Sequence, residues 1–307
     1  MTDSPAVETR NLRKEFGTNI AVRGLTLQVQ RGEVFGFLGP NGAGKTTSIK
    51  MLLGLVRPTS GDASLLGRPI QDPNARRRAG FLPEHFRFHD WLSAVEFLTL
   101  HGQLYRMDPA RLAKRSAELL DLVGLTDFRD RQLRTFSKGM LQRIGLAQSL
   151  LNQPELVFLD EPTSGLDPVG RRLVRDIIRA LREQGTTVFL NSHLLSEVEI
   201  TCDRVAFIKH GEVLRVSRVT DLMDGVTTVT IRARGFDAAV LRELGRWGED
   251  ARAEGSDHIL LSLRDDAALP EINRYLVGLG VDVYAIIPQR LSLEDLFIQV
   301  VGTDGGL

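Results

Sequence analysis

Gly39-Pro-Asn-Gly-Ala-Gly-Lys-Thr46 is the stretch of this 307-residue sequence that decides the fold. It fits the pattern G-x-x-x-x-G-K-[ST], between a strand candidate at Glu33–Leu38 and a helix candidate at Ser48–Leu55. Such a loop wraps a polyphosphate, because glycines let backbone N–H groups point inward and the helix N-terminus adds positive potential. Lys45 is expected to reach the β- and γ-phosphates, and the Thr46 hydroxyl to ligate Mg²⁺. The predicted nucleotide-binding residues of this segment are Gly39, Asn41, Gly42, Ala43, Gly44, Lys45, Thr46 and Thr47.

A second informative segment is Leu156-Val-Phe-Leu-Asp160-Glu161, four apolar residues that end in two carboxylates. At the carboxyl end of a buried strand, Asp160 is expected to lie beside the phosphate loop and to hold Mg²⁺ through water. Glu161 can then polarise the attacking water. The alternative is an acidic loop after a core strand. Because a phosphate loop precedes this segment in the same chain, we favour the metal and catalytic interpretation.

Between these segments, Phe136-Ser137-Lys138-Gly139-Met140 precedes a helical pattern. Ser137 is the predicted N-cap, which leaves its hydroxyl and the following N–H groups free to face an anion. Taken alone, the segment predicts a capped helix and nothing more.

The pattern along residues 1–220 predicts an α/β domain with a mostly parallel sheet. Continuous apolar runs at Leu156–Leu159 and Thr187–Leu190 are typical of strands buried on both faces. Helical spacing across residues 91–150, broken near Asp108-Pro109, predicts a helical subdomain inserted in this P-loop NTPase core.

Residues 221–307 predict a small C-terminal α+β domain with an accessory or regulatory role. The charge balance supports this boundary, since the first 220 residues hold 31 Lys and Arg against 24 Asp and Glu, and the rest hold 8 against 15. Ser292 and Asp295 form a predicted capping box that opens the last helix. Predicted strands are Val226–Ala233, His258–Leu263 and Val281–Ile287, and predicted helices are Asp237–Trp247, Pro270–Leu279 and Ser292–Val301.

The composition, 42% hydrophobic and 25% charged, is ordinary for a globular protein. No stretch approaches the roughly 18 to 20 apolar residues of a membrane-spanning helix. Cys202 is the single cysteine, which excludes a disulfide framework or a cysteine zinc site within one chain. If the protein moves something across a membrane, other chains are expected to form the pathway.

In order and spacing, the phosphate loop, the Ser137-x-Gly139 helix start, LVFLDEP, Ser164–Asp167 and Asn191–His193 resemble the motif series of ABC (ATP-binding cassette) ATPases. The resemblance covers about residues 6–220 and implies ATP hydrolysis with Mg²⁺ as cofactor. It also implies a homodimer that sandwiches two MgATP, in which the phosphate loop of one copy faces the Ser137 helix of the other.

The same resemblance implies roles for single residues. His193 is expected to hydrogen-bond the γ-phosphate and to act with Glu161 as a catalytic residue. Asp167 is expected to connect the two active sites across the dimer. Phe16, in Lys14-Glu-Phe-Gly, is expected to stack on adenine, and the alternative is a buried aromatic at a strand end. The signature residues expected to act in trans are Ser137, Lys138, Gly139 and Met140.

Two departures from the usual family pattern are present. Lys138 and Met140 replace a Gly and the Gln of the signature Leu-Ser-Gly-Gly-Gln. Glu84 stands where most members have a glutamine that senses Mg²⁺, although a carboxylate can still ligate this ion. With Leu291–Ile298, these departures resemble the ATPases of ABC-2 type exporters, which include drug- and antibiotic-resistance pumps and polysaccharide exporters.

The resemblance implies a peripheral protein at the cytoplasmic face of the cell membrane that drives separately encoded transmembrane permease subunits and binds no nucleic acid. One alternative is an ABC importer motor, against which the absence of a longer β-rich C-terminal domain counts weakly. The other is a soluble ABC ATPase acting on ribosomes or DNA, which the one phosphate loop and the absence of sustained heptads disfavour.

Two surface features have open interpretations. Phe86, Phe88 and Trp91 either line a groove that receives a helix of the membrane subunit or pack within the helical subdomain. Arg76–Arg78 either faces anionic lipid or forms a solvated face, and we favour the solvated face.

Overall fold

The computed structural model describes residues 4–86, 89–223, 227–263, 266–289 and 292–302. These form two compact units, one reaching to residue 218 and including the described end of the chain from residue 300, and one of residues 219–299. In the part of the chain that the structure describes, no helix combines the length and the hydropathy that a membrane span requires.

Both units contain strands and helices. Up to residue 218 the elements are β1 (Val7–Phe16), β2 (Asn19–Val29), β3 (Val34–Leu38), α1 (Lys45–Leu52), β4 (Ser60–Leu65), β5 (Arg68–Pro69), β6 (Ala79–Leu82), α2 (Ala94–Leu104), α3 (Pro109–Leu122), α4 (Lys138–Ser149), β7 (Leu156–Asp160), α5 (Pro168–Glu183), β8 (Thr187–Asn191), α6 (Leu195–Thr201), β9 (Arg204–Lys209) and β10 (Glu212–Arg218). The elements that follow are α7 (Val219–Met223), β11 (Thr227–Arg234), α8 (Ala238–Leu244), β12 (Gly248–Glu254), β13 (His258–Leu263), α9 (Leu269–Gly278), β14 (Asp282–Gln289) and α10 (Leu293–Val301).

A six-stranded sheet of order β10-β9-β3-β8-β7-β6 forms the centre of the first unit. All its neighbouring strands pair in parallel except β9 and β10. Strands β3, β7 and β8 are buried along their whole length, as continuous apolar runs predict. The Phe189 ring packs 5.1 to 5.7 Å from the rings of Phe35, Phe37 and Phe158. The predicted mostly parallel core is confirmed.

A second sheet, of order β2-β1-β4-β5, is antiparallel. Its strand β2 runs for 11 residues, from Asn19 to Val29. Leu12 of β1 and Val22 and Leu25 of β2 are fully buried. Register shifts along β1 interrupt the alternation of apolar and polar residues, so the full strand length has no clear sequence signal.

Helices α2, α3 and α4 fill residues 91–150, between the parallel strands β6 and β7. Ser93 opens α2 with a capping box, and Asp108 caps α3, whose first residue is Pro109. A proline suits the first helical turn and cannot continue the preceding helix, which explains the break predicted at this position.

Residues 219–299 contain a four-stranded antiparallel sheet of order β12-β13-β11-β14, with α8 and α9 between strands in the β-α-β-β-α-β sequence of a split βαβ fold. The α+β prediction is confirmed. Strand β12 was not predicted, because this edge strand is largely exposed and charged. The Ser292 Oγ accepts from the Asp295 N–H at 3.1 Å and the Asp295 carboxylate accepts from the Ser292 N–H at 3.0 Å, so the predicted capping box is present.

Candidate active site

Three loops meet at one edge of the six-stranded sheet. Strands β3, β8 and β7 are neighbours and run parallel, so the segments that follow Leu38, Asn191 and Asp160 leave from the same edge. In proteins with an open parallel sheet, ligands bind outside the carboxyl ends of the strands.

The loop of residues 39–44 needs its glycines for two different reasons. Gly44 caps α1 with a left-handed φ of 93°, so the helix begins at Lys45, three residues before its predicted start. A Cβ at Gly39 would lie 2.5 Å from the Ile208 carbonyl oxygen, so a side chain there would collide with β9. Among the other predicted contacts, Asn41 and Gly42 are exposed, Ala43 is buried, and Thr46 and Thr47 are half-buried in the first turn of α1.

Lys45 lies against the loop that it follows. Its Nζ donates to the carbonyl oxygens of Gly39 at 2.5 Å and Pro40 at 3.0 Å. Burial lowers the pKa of Lys45, and the carboxylates of Glu161 and Asp160 oppose that effect. The ammonium group therefore supplies positive charge next to the glycine-rich loop, where a polyphosphate could bind.

Asp160 ends β7 as a buried carboxylate. It accepts hydrogen bonds from the Asn191 side-chain amide and the Thr46 hydroxyl. Burial raises the pKa of Asp160, and the two hydrogen bonds act in the opposite direction. The carboxylate is thus held directly beside the start of α1.

The oxygen atoms around Asp160 fit a hydrated Mg²⁺. They are the Thr46 hydroxyl, the Asp160 carboxylate and the Asn191 Oδ1, a buried acceptor with no partner among the described residues. Mg²⁺ prefers oxygen ligands and keeps several waters, so one or two protein ligands suffice. The described residues contain no cluster of three or more His, Cys, Asp or Glu side chains arranged for a metal.

Glu161 has a left-handed backbone, with φ of 55°. Such a conformation costs a non-glycine residue about 1 to 3 kcal/mol and is concentrated at functional sites. Three backbone contacts hold it. Its N–H donates to the Asn191 carbonyl at 2.9 Å, and its own carbonyl accepts from Gln142 Nε2 and from the Ser164 N–H, both at 3.1 Å. Sequence reasoning missed Gln142, which has no motif of its own and is one of several polar residues on α4.

His193 and Glu161 are in direct contact. Nδ1 of His193 lies 2.7 Å from Glu161 Oε2, and the carboxylate side chain is only 8% exposed while the imidazole is 60% exposed. Burial raises the pKa of Glu161, and His193 opposes this effect. Glu161 is therefore a buried proton acceptor, and the exposed His193 ring that contacts it can also contact a ligand.

Glu84 follows β6 and is the most exposed of the three acidic candidates, with 43% of its side chain accessible. Its negative charge acts to raise the pKa of Lys45, of Asp160 and of Glu161, so Glu84 lies close to all three residues. His85 Nδ1 lies 3.8 Å from Glu84 Oε1.

Ser137 caps α4, with its Oγ accepting from the Met140 N–H at 3.2 Å. Ser137 and Lys138 are exposed, and Gly139 and Met140 are half-buried. No hydrogen bond or ion pair between described residues joins these four to the phosphate loop of the same chain.

The helix start and the Asp167 loop pack on each other. A Cβ at Gly165 would lie 2.7 Å from Lys138 Cε, and one at Gly139 would lie 3.2 Å from Leu166 Cδ2. Asp167 caps α5 by accepting from the Gly170 N–H at 2.7 Å. The Lys138 stem thus lies over the Asp167 loop, an arrangement that the sequence did not predict.

The predicted adenine contact and the other aromatic candidates differ in exposure. Phe16 is 51% exposed, with Lys14 Nζ 4.7 Å from its ring centre, so the alternative of a buried strand-end aromatic is wrong. Trp91 is 62% exposed, and the half-buried Phe86 ring lies 6.0 Å from Phe97. Phe88 lies outside the described residues.

Comparison with known proteins decides the family. The profile of the family described as ABC transporter matches residues 22–164. An ABC transporter ATP-binding protein of Nostoc sp. is 44% identical over 96% of this chain and 89% of its own length. The daunorubicin/doxorubicin resistance ATP-binding protein DrrA of Streptomyces peucetius is 38% identical over 97% of this chain and 92% of its own length.

The chain belongs to the ABC transporter ATP-binding proteins. As a member of this family it is an ABC-type ATP hydrolase. Among solved structures, a dimeric ATP-binding cassette in a post-hydrolysis state with ADP and Pi superposes with a TM-score of 0.64 at 28% identity. The match covers 69% of this ABC ATPase and 98% of that chain.

Proposed function

We propose that this chain is the motor subunit of an ABC exporter. Two copies sandwich two MgATP and drive separately encoded transmembrane subunits from the cytoplasmic face of the cell membrane, without nucleic acid. The observation that carries the proposal is the convergence of Lys45, Asp160, Glu161 and His193 at one sheet edge beside a glycine-rich loop.

ATP binds along the loop of residues 39–47. Backbone N–H groups of the loop and Lys45 hold the β- and γ-phosphates, and the exposed Phe16 ring stacks on adenine. Thr46 and Asp160, with Glu84 as a further candidate ligand, hold Mg²⁺. When bound, this ion neutralises charge on the phosphate oxygens.

Glu161 accepts a proton from the attacking water while the water oxygen bonds to the γ-phosphorus. The bond from that phosphorus to the β–γ bridging oxygen breaks, which releases ADP and phosphate. His193 orients the carboxylate through Nδ1, so its Nε2 is available to the γ-phosphate. Burial favours this step because a raised pKa makes Glu161 a stronger base.

The Ser137 helix completes the pocket of the second copy, and Asp167 connects the two pockets. Ser137 and Lys138 are exposed on their own chain, and Val169, two residues after Asp167, is 77% exposed. An exposed helix N-terminus beside an exposed apolar residue suits a face that a second copy covers.

The relatives support export rather than import. The resistance protein of Streptomyces peucetius aligns beyond the ATP-binding motifs and through the C-terminal part of this chain. We assign residues 221–307 an accessory role in dimerisation or coupling, and residues 1–220 the ATP-binding role. Deletion of residues 221–307 is expected to leave nucleotide binding intact, and loss of binding would contradict this division.

Mixing two inactive variants tests the shared pocket. Lys45→Ala damages the phosphate loop and Ser137→Arg damages the helix start, so each homodimer has two defective pockets. A heterodimer has one intact pocket, and random pairing should restore about one quarter of wild-type ATP hydrolysis.

The control for the mixing experiment is Lys45→Ala mixed with the Lys45→Ala/Ser137→Arg double variant, which leaves no pocket intact and should stay inactive. Full activity of Ser137→Arg alone, or no recovery on mixing folded variants that pair, would contradict the shared pocket.

A further inference from the structure

Asn191 has a central position in the site, and the function proposed above gives it no part in the reaction. It is the last residue of β8 and pairs with Asp160 of β7 on one side and with Phe37 of β3 on the other. It therefore lies between the strand that leads to the carboxylates and the strand that leads to the phosphate loop. Only 2% of the residue is exposed.

Two contacts connect Asn191 to the reaction site. Its side-chain Nδ2 donates to Asp160 Oδ1, and its backbone carbonyl accepts from the Glu161 N–H at 2.9 Å. One residue thus fixes both the Asp160 carboxylate and the left-handed backbone of Glu161.

The remaining polar atom of Asn191 indicates that a ligand or a water molecule binds next to it. Its Oδ1 is buried and has no hydrogen-bond partner within the described ranges. A buried acceptor without a partner destabilises a fold, so stability alone would favour an apolar residue at this strand end. The amide is better explained by its contact with Asp160 in the reaction site.

We propose that Asn191 is a positioning residue for ATP hydrolysis. Its amide N–H orients the Asp160 carboxylate toward Mg²⁺, and its Oδ1 accepts a hydrogen bond from a water molecule in the site. The inference rests on the roles proposed above for Asp160 and Glu161. Groups that orient metal ligands in this way typically change metal affinity by about 10- to 100-fold when they are removed.

The test measures equilibrium binding of a non-hydrolysable ATP analogue to the purified full-length chain, in Mg²⁺ and in EDTA. Asn191→Leu keeps the backbone carbonyl and removes the amide. Its affinity in EDTA should stay within about twofold of wild type, because Lys45 and the loop are unchanged, and its affinity in Mg²⁺ should fall by about 10- to 100-fold. Asn191→Ser has a smaller side chain, and its affinity in Mg²⁺ should also fall. This variant replaces Asn191→Leu in the test if Asn191→Leu does not fold.

Thr187→Val is the matched control. Thr187 begins the same strand, is buried, and accepts from the Gly32 N–H at 2.9 Å, so its loss weakens β8 far from the site. It should lower the melting temperature and keep the wild-type ratio of affinities in Mg²⁺ and EDTA.

The inference would be overturned if folded Asn191→Leu and Asn191→Ser kept the wild-type ratio of affinities in Mg²⁺ and EDTA. It would also be overturned if Thr187→Val lost as much affinity in Mg²⁺ as the Asn191 variants. Failure of the wild-type chain to bind the analogue would instead overturn the proposed function, and this inference with it.

Discussion

The ion pair between Arg175 of α5 and Glu197 of α6 gives the sharpest prediction for stability. Arg175 Nη1 donates to the two Glu197 oxygens at 2.9 and 3.0 Å, and the side chains are 27% and 12% exposed. Asp167 caps α5 and His193 precedes α6, so the pair joins two helices that carry site residues. Arg175→Met keeps the apolar stem and leaves the Glu197 carboxylate without its cation.

The expected loss follows from burial. Removing one partner of a fully buried pair costs about 3 to 5 kcal/mol, and the partial exposure of Arg175 reduces this to about 2 to 3 kcal/mol. For a unit of this size, the melting temperature should fall by about 5 to 10 °C, measured by circular dichroism without nucleotide.

A matched control lies one turn earlier on the same helix. Arg172 is 78% exposed and lies 3.9 Å from Asp176, so Arg172→Met should change stability by less than about 0.5 kcal/mol. The double variant Arg175→Met/Glu197→Met should be more stable than Arg175→Met alone, because no buried charge remains. A melting temperature of Arg175→Met equal to that of the control would refute the reasoning.

Three further outcomes are expected. Gly44→Ala should abolish nucleotide binding in a fluorescence titration, because the left-handed φ and the nearby backbone exclude a Cβ. Gly42 is also left-handed but lies in open space, so Gly42→Ala should lower the free energy of unfolding by only about 1 kcal/mol. Phe16→Ala should weaken ATP binding by about tenfold by calorimetry and Phe16→Tyr by less than twofold, and equal affinities would remove the stacking role. Cys202 should resist a thiol reagent at pH 8 until the chain unfolds, because burial raises the pKa of its thiol; rapid labelling of the folded protein would contradict this.

The parts of the site that depend on local sequence were predictable. The phosphate loop lies within eight consecutive residues, and the two carboxylates end an apolar run that is typical of a buried strand. The resemblance to ABC ATPases supplied the order of the motifs. The start of α1 was misplaced by three residues because Gly44, rather than a polar N-cap, ends the loop.

The parts that depend on distant residues were not predictable. Contact between Glu161 and His193 requires β7 and β8 to be neighbours, and packing of Lys138 over Gly165 requires α4 to meet the loop after β7. Asn191 was part of a recognised motif, yet its role depends on the register between two strands. Strands β7 and β8 are buried along their whole length, so neither shows the alternation of apolar and polar residues that would fix their register.

The central claim is that two copies of this chain enclose ATP between them. Size-exclusion chromatography with light scattering on Glu161→Gln measures this directly, because the variant keeps the shape of the site and lacks the base. With saturating MgATP its mass should be twice that of one chain, and with EDTA it should return to the mass of one chain. A single-chain mass under MgATP, together with full-rate hydrolysis by an equally monomeric wild type, would contradict the account.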